Sequence, residues 1–183
     1  MSPRLDPGRA ALVVVDVQEG FRKAIPDFGA VAAATATLIR GAEALDVPVI
    51  VTEQYPKGLG PTASEVAERL PDGVEPIAKT VFSAASADGF ALGGREQAIV
   101  CGIETHVCVN QTVLELLDSG IEVHVVADAV GSRSEANRQL GLAKAERAGA
   151  WITSVETALF ELLGEAGTER FKAVQRLVLE YAP

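Results

Sequence analysis

Residues 97–120, QAIVCGIETHVCVNQTVLELLDSG, join an apolar run of strand length to a segment whose apolar residues recur at helical spacing. A strand followed at once by an amphipathic helix is the repeating half of a βαβ unit, and buried parallel strands are near-continuous apolar runs. The same alternation recurs along the chain. Apolar runs of strand length stand at 11–17, 47–52 and 121–128, and helical patterns at 28–45, 105–119 and 134–148.

Shorter signals complete this pattern toward both ends of the sheet. They predict strands at 75–78 and 150–153 and helices at 155–163 and 168–180. Parallel neighbours need crossover helices, which cover both faces of the sheet. The sequence therefore predicts a single domain, 1–183, of α/β class: a Rossmann-like, three-layer α/β/α fold with a roughly six-stranded parallel sheet.

The composition indicates an ordered protein that does not bind nucleic acid. Hydrophobic residues make up 48% and charged residues 22% of the chain, and 16 basic against 25 acidic residues give a formal charge of −9. This charge disfavours polyanions. No apolar run approaches the ~20 residues of a membrane span, and the first residues lack a targeting pattern, so we expect a cytoplasmic protein without a membrane partner.

Three residues of chemical interest follow predicted strands. Asp16 follows the first strand, Lys79 a short one, and Cys108 the strand at 97–102. Thr105 can serve as the helix N-cap. The helix start and Lys79 favour a thiolate at Cys108, whereas burial and an ionised Asp16 oppose it, so its net pKa falls only if Lys79 outweighs Asp16 and desolvation; the alternative is a proton shared by the aspartate and the thiol. Taken singly, the aspartate could cap a helix, the lysine could be solvated and the cysteine could fill the core. Their convergence on one sheet edge favours a catalytic site.

Other chemistries find less support. His106 lies two residues before Cys108, so the two side chains do not face each other on a helix, and His124 lies within a strand. Cys101 is expected to be a core residue, and no metal-ligand spacing is present. The glycines of 89–96, GFALGGRE, do not follow a strand as in a dinucleotide site. Residues 52–62, TEQYPKGLGPT, are predicted to form a loop bordering the ligand crevice.

Three motifs together resemble one enzyme family across almost the whole chain. VVVDVQEGF at 13–21, IAKTVFSA at 77–84 and GIETHVCVNQTVLELLDSG at 102–120 are similar to the isochorismatase-like cysteine hydrolases, which include nicotinamidases and carbamoylsarcosine amidase. With TEQYPKGLGPT and VHVVADAVGSRS added, the chain looks most like the isochorismatase domain-containing proteins.

The resemblance implies roles for specific residues. Cys108 would be the nucleophile, Asp16 the proton shuttle and Lys79 the cation that steadies both, with a thioester intermediate. A cis peptide between Ile103 and Glu104 would turn the amides of Glu104 and Cys108 toward the oxyanion. Related proteins form dimers to octamers, so a homo-oligomer is expected.

The resemblance also bears on metals and on the pocket. Nicotinamidases carry metal-binding histidines where this chain has 52–55, TEQY, so neither a metal nor a cofactor is expected. A small-molecule pocket is instead expected to be lined by Gln18, Phe21, Gln54, Tyr55 and Phe82. True isochorismatases lack the cysteine and cleave a vinyl ether, so Cys108 disfavours that reaction.

Hydrolysis of a C–N bond in a small amide is the leading hypothesis. Two alternatives stay open: a noncatalytic or regulatory protein that keeps the fold, and a thiol redox protein in which Cys101 resolves a sulfenic acid at Cys108. Turnover of a panel of small amides, ureas and esters distinguishes hydrolysis from the first alternative. Loss of a peroxide-dependent disulfide in Cys101→Ser, with hydrolysis unchanged, would support the second.

Overall fold

The computed structural model describes residues 4–181 and contains one sheet of six parallel strands. Their order across the sheet is β3-β2-β1-β4-β5-β6. The strands are β1 (Ala10–Val15), β2 (Val49–Gln54), β3 (Ile77–Lys79), β4 (Gln97–Ile103), β5 (Glu122–Gly131) and β6 (Trp151–Thr153).

Helices cover both faces of this sheet. They are α1 (Phe28–Ala44), α2 (Pro56–Leu59), α3 (Ser64–Ala67), α4 (Asn110–Asp118), α5 (Glu135–Ala148), α6 (Val155–Leu163) and α7 (Glu169–Tyr181). A 3-10 turn at Glu19–Phe21 follows β1, and a π-helical turn at Thr105–Val109 leads into α4. In residues 4–181, no helix is long and apolar enough to cross a membrane.

Successive side chains of each strand point to opposite faces of the sheet, so the hydrophobic core has two parts, one on each face. In β1, Leu12 and Val14 pack with α1, α3, α6 and α7, whereas Val13 and Val15 pack with α4 and α5. All six residues of β1 are buried, as expected for a central strand covered on both sides. The predicted three-layer α/β/α fold with a six-stranded parallel sheet is confirmed.

The segment 52–62 departs from its prediction as a loop. Strand β2 continues to Gln54, because Thr52, Glu53 and Gln54 pair with the short strand β3. Pro56 then starts the one-turn helix α2, which is compatible with a residue that has no amide hydrogen to satisfy. The prolines and glycines therefore shorten the irregular part of this segment but do not exclude regular structure from it.

The order in which the chain adds strands to the sheet reverses between β1 and β4. The chain adds β2 and β3 on one side of β1, and then β4, β5 and β6 on the other. Gly102 in β4 has a φ of +117°, and a Cβ atom there would lie 2.0 Å from the carbonyl oxygen of Val15. Only glycine permits this approach. In open α/β sheets, the carboxyl ends of the strands at such a reversal are where ligands bind.

Candidate active site

Asp16 lies at this reversal, immediately after β1. Its backbone is in the left-handed region, with a φ of 53°, where aspartate is one of the more tolerant residue types. Its amide donates to the Thr52 carbonyl at 3.1 Å, and Thr52 Oγ1 donates to Asp16 Oδ1 at 2.7 Å. The neighbouring strand β2 thus holds the Asp16 carboxylate through Oδ1, and Oδ2 is left to accept from another partner.

Lys79 supplies that other partner from the end of β3. Its ammonium donates to Asp16 Oδ2 at 2.7 Å, and neither side chain is exposed. Gln54 Oε1 accepts from Lys79 Nζ at 2.7 Å, and the carbonyls of Phe82 and Val81 lie at 3.0 and 3.2 Å from the same nitrogen. A buried charge is tolerated only when it is paired and hydrogen-bonded in this way.

Cys108 lies in the π-helical turn that follows β4. The peptide bond between Ile103 and Glu104 is cis, and Glu104 is the residue preceding this turn. Thr105 is not the N-cap that the sequence predicts, because its hydroxyl donates to the Gly131 carbonyl at 3.0 Å, on the neighbouring strand. The turn is thereby tied to the end of β5.

The Cys108 thiol is less acidic than an ordinary cysteine. Burial, followed by the negative charge of Asp16, raises the pKa of Cys108 to about 12, and the positive charge of Lys79 opposes this only in part. Burial and Asp16 therefore outweigh Lys79, so the condition for a net fall of this pKa is not met. Because the charges of both Asp16 and Lys79 act on this thiol, the structure brings Asp16, Lys79 and Cys108 together at one sheet edge.

A cavity of about 350 Å³ opens in front of the thiol. Its walls are mainly apolar, with a few polar side chains, and it is lined by Gly20, Phe21, Ala24, Gln54, Leu59, Phe82, Glu104, Val107, Cys108 and Arg133. Of the predicted pocket residues, Phe21, Gln54 and Phe82 lie on this wall. Few convergent polar groups among apolar walls are typical of small-molecule sites.

Gln18 and Tyr55 lie elsewhere. Gln18 is fully buried, and its side chain accepts from the Gln54 amide at 2.7 Å and donates to the Gly60 carbonyl at 2.7 Å. It therefore positions the segment that carries Gln54. Tyr55 is 55% exposed and lines a neighbouring cavity of about 450 Å³.

Two polar residues of the site were missed by the sequence analysis. Thr52 holds Asp16, and Arg133 lines the cavity and is paired with Glu104 at 2.9 Å. Arg133 follows a strand at the same sheet edge as Asp16, whereas Thr52 lies within β2. That rule would have found Arg133, which stands two residues after β5 ends. Nothing in the residue pattern distinguishes Thr52 from an ordinary strand threonine.

The remaining candidates have structural partners. His106 is hydrogen-bonded to Ser132 at 3.0 Å and His124 to Glu122 at 3.0 Å. Cys101 is fully buried and packs on the opposite face of the sheet from Cys108. In the part of the chain from 4 to 181, no three His, Cys, Asp or Glu side chains are grouped so that they could hold a metal ion.

Comparison with known proteins gives consistent matches along most of the chain. The family model of the isochorismatase domain matches residues 10–157. Isochorismatase domain-containing protein 2 from Pongo abelii is 42% identical over 183 residues, which cover 98% of this chain and 88% of that protein.

Two solved structures share the fold over nearly their full length. The MAR1 ribonuclease from Caenorhabditis elegans has a TM-score of 0.92 and 40% identity, covering 98% of this chain and 94% of that one. The YcaC gene product from Escherichia coli, described as an octameric hydrolase of unknown specificity, has a TM-score of 0.90 and 26% identity. That match covers 100% of this chain and 93% of the other.

Proposed function

Because this chain belongs to the isochorismatase family, we propose that it is a hydrolase that cleaves a C–N bond of a small amide through a thioester at Cys108. The observation that carries the proposal is the buried Asp16–Lys79 pair, 2.7 Å apart, beside a thiol that lines a cavity at the reversal point of the sheet. A nucleophile, a proton acceptor and a fixed cation in one cleft are the parts that acyl transfer requires.

The first step is attack by sulfur on the substrate carbonyl carbon. With a pKa of about 12, the thiol is protonated near neutral pH, so it does not stand ready as a thiolate. Asp16 therefore accepts the thiol proton as the C–S bond forms. Lys79 holds the carboxylate in place before the reaction, and Thr52 fixes its orientation.

The next steps release the two products. Attack gives a tetrahedral oxyanion, for which the backbone amides of Glu104 and Cys108, two residues that line the cavity, are the candidate donors. Asp16 then delivers its proton to the leaving nitrogen, and the C–N bond breaks to leave a thioester. Water, deprotonated by Asp16, attacks this thioester and releases a carboxylic acid and the thiol. The proposed reaction uses neither a metal nor a cofactor.

The chain is also proposed to act as a homo-oligomer. The related YcaC gene product is described as octameric. Here, Phe82 is 51% exposed although it lines the cavity, and Val81 beside it is 44% exposed. Light scattering coupled to size-exclusion chromatography tests this, and a monomer at micromolar concentration would contradict it.

Ribonuclease activity, named for the relative from Caenorhabditis elegans, is not proposed for this chain. The formal charge is −9, and Arg133, the one basic residue that lines the cavity among residues 4–181, is paired with Glu104. Binding of a polyanion normally draws on several unpaired cations. We therefore expect a small-molecule substrate, with neither nucleic acid nor a membrane as partner.

Turnover measurements test the proposal. Purified protein is assayed against a panel of small amides, ureas and esters, with single-stranded RNA as a further substrate and Cys108→Ala as the matched control. We expect hydrolysis of at least one panel compound, abolished in Cys108→Ala, and no cleavage of RNA. RNA cleavage at a rate unchanged by Cys108→Ala, or panel turnover that survives this substitution, would contradict the proposal. A protein inert toward the entire panel would favour the noncatalytic alternative.

A further inference from the structure

The lysine loop, residues 80–84, follows β3 and wraps around the ammonium group of Lys79. The carbonyls of Val81 and Phe82 in this loop accept from Lys79 Nζ at 3.2 and 3.0 Å. Two further acceptors of the same ammonium are side-chain oxygens of the site. Because the loop supplies acceptors to a buried cation, its conformation helps to set where the charge of Lys79 lies.

Thr112 in α4 connects the far end of this loop to the nucleophile. Its side chain is fully buried. Thr112 Oγ1 accepts from the Ala84 amide at 2.8 Å and donates to the Cys108 carbonyl at 2.7 Å. One hydroxyl thus acts as acceptor and donor at once, and it joins two segments that lie 28 residues apart in the chain. The cage around the cation and the turn that carries the thiol are therefore coupled through one side chain.

Neighbouring side chains do not duplicate this bridge. Ser83 Oγ, inside the lysine loop, is sealed from solvent and has no hydrogen-bond partner within the described part of the chain. Ser86 Oγ donates to the Glu115 carboxylate at 2.6 Å, but this contact is exposed and lies beyond the end of the loop. A hydrogen bond between buried groups holds its geometry more strongly than one that competes with water. The bridge through Thr112 is therefore the contact expected to fix the loop.

We propose that Thr112 is a positioning residue that fixes the Lys79 ammonium relative to the Cys108 thiol. It acts by holding the lysine loop against the turn of the nucleophile, and it does not line the cavity. The assignment rests on the proposed function, because it adds a residue to the machinery of the Cys108 reaction. Burial and Asp16 raise the pKa of Cys108, and the positive charge of Lys79 lowers it. A displaced loop weakens the last effect and leaves less thiolate at a given pH.

Alkylation of Cys108 by iodoacetamide, read by peptide mapping, tests this role without a known substrate. Thr112→Val keeps the shape of the side chain but can neither donate nor accept, and we expect it to slow alkylation by about fivefold. Thr112→Ser keeps the hydroxyl and should restore the wild-type rate. Thr37→Val is the matched control, because the buried Thr37 hydroxyl in α1 likewise donates to the carbonyl four residues before it, that of Ala33, at 2.9 Å.

A double variant separates positioning from a general effect on packing. If Thr112 acts through the cation, Thr112→Val should cause no further slowing once Lys79→Met has removed that cation. A merely structural role would slow alkylation by the same factor in both backgrounds. The rates are compared at several values between roughly pH 7 and pH 10, where the variant should keep the wild-type slope and differ by a constant factor.

Three results would overturn the proposal: alkylation of Thr112→Val at or above the wild-type rate, failure of Thr112→Ser to restore it, or equal slowing in both backgrounds. If Thr112→Val does not fold, Thr112→Ala takes its place beside Thr112→Ser. Alkylation does not require hydrolysis, so the two proposals are separable. Hydroxyl-dependent alkylation without amide turnover would refute hydrolysis alone, and turnover with hydroxyl-independent alkylation would refute the positioning role alone.

Discussion

Replacing Lys79 by Met removes the cation from the buried pair while keeping a side chain of similar length. Asp16 then remains fully buried without its ionic partner, and the acceptor atoms of Gln54, Val81 and Phe82 lose their donor. Breaking a buried pair by removing one partner destabilises a protein by about 3–5 kcal/mol. For a domain of this size, this corresponds to a melting temperature lower by about 10 °C.

The assay is urea unfolding at neutral pH of wild type, Lys79→Met, Asp16→Asn and the double variant. In the double variant no charge is left unpaired, so we expect about 2 kcal/mol or more to be regained over Lys79→Met alone. Lys172→Met is the matched control, because Lys172 also pairs with a carboxylate but is 64% exposed, and such pairs contribute about 0–1 kcal/mol. A loss in Lys79→Met no larger than in the control would refute this description of the pair.

Three further predictions concern the same region. Asp16→Asn leaves Cys108 open to alkylation by iodoacetamide but abolishes amide turnover, since the leaving nitrogen then lacks its proton donor; full turnover would contradict this. Because burial and Asp16 raise the pKa of Cys108 to about 12, its alkylation rate should increase about tenfold per pH unit between roughly pH 7 and pH 10, and a plateau below that range would be inconsistent. Gly102→Ala should unfold the protein or destabilise it by more than about 3 kcal/mol in urea, since its Cβ would lie 2.0 Å from Val15. Gly149→Ala has a similar φ of +110° but no neighbour within 4 Å, so it isolates the backbone strain, about 1 kcal/mol.

The fold could be predicted from the sequence because its strands are buried on both faces. A continuous apolar run such as that of β1 is readable without knowing its neighbours, and helices α5 and α6 each end at a glycine C-cap. The segment 52–62 was harder, because the end of β2 is stabilised by pairing with the three-residue strand β3, a contact between distant parts of the chain. Pairing of this kind leaves little trace in local composition.

The sequence predicted the position of the candidate site better than the acidity and the pairing of its side chains. Strand ends identify Asp16, Lys79 and Cys108, because parallel strands bring their carboxyl ends to one edge. The sign of the shift in the thiol pKa stayed open at the level of sequence, because the helix start can be read locally, whereas burial depends on the packed structure. The role of Gln18 and the pairing of Arg133 with Glu104 likewise depend on loops that meet only in the folded protein.

The central claim, that Cys108 forms a thioester with its substrate, is tested most directly by mass spectrometry of the quenched enzyme. The protein is mixed with 4-nitrophenyl acetate, an acyl donor whose leaving group needs no proton, quenched in acid within seconds and mapped by peptide. We predict one acetyl group on Cys108, none on Cys101, and decay of the adduct as the reagent is consumed. Acetylation that spares Cys108, or an adduct that never decays in the wild-type protein, would contradict the account.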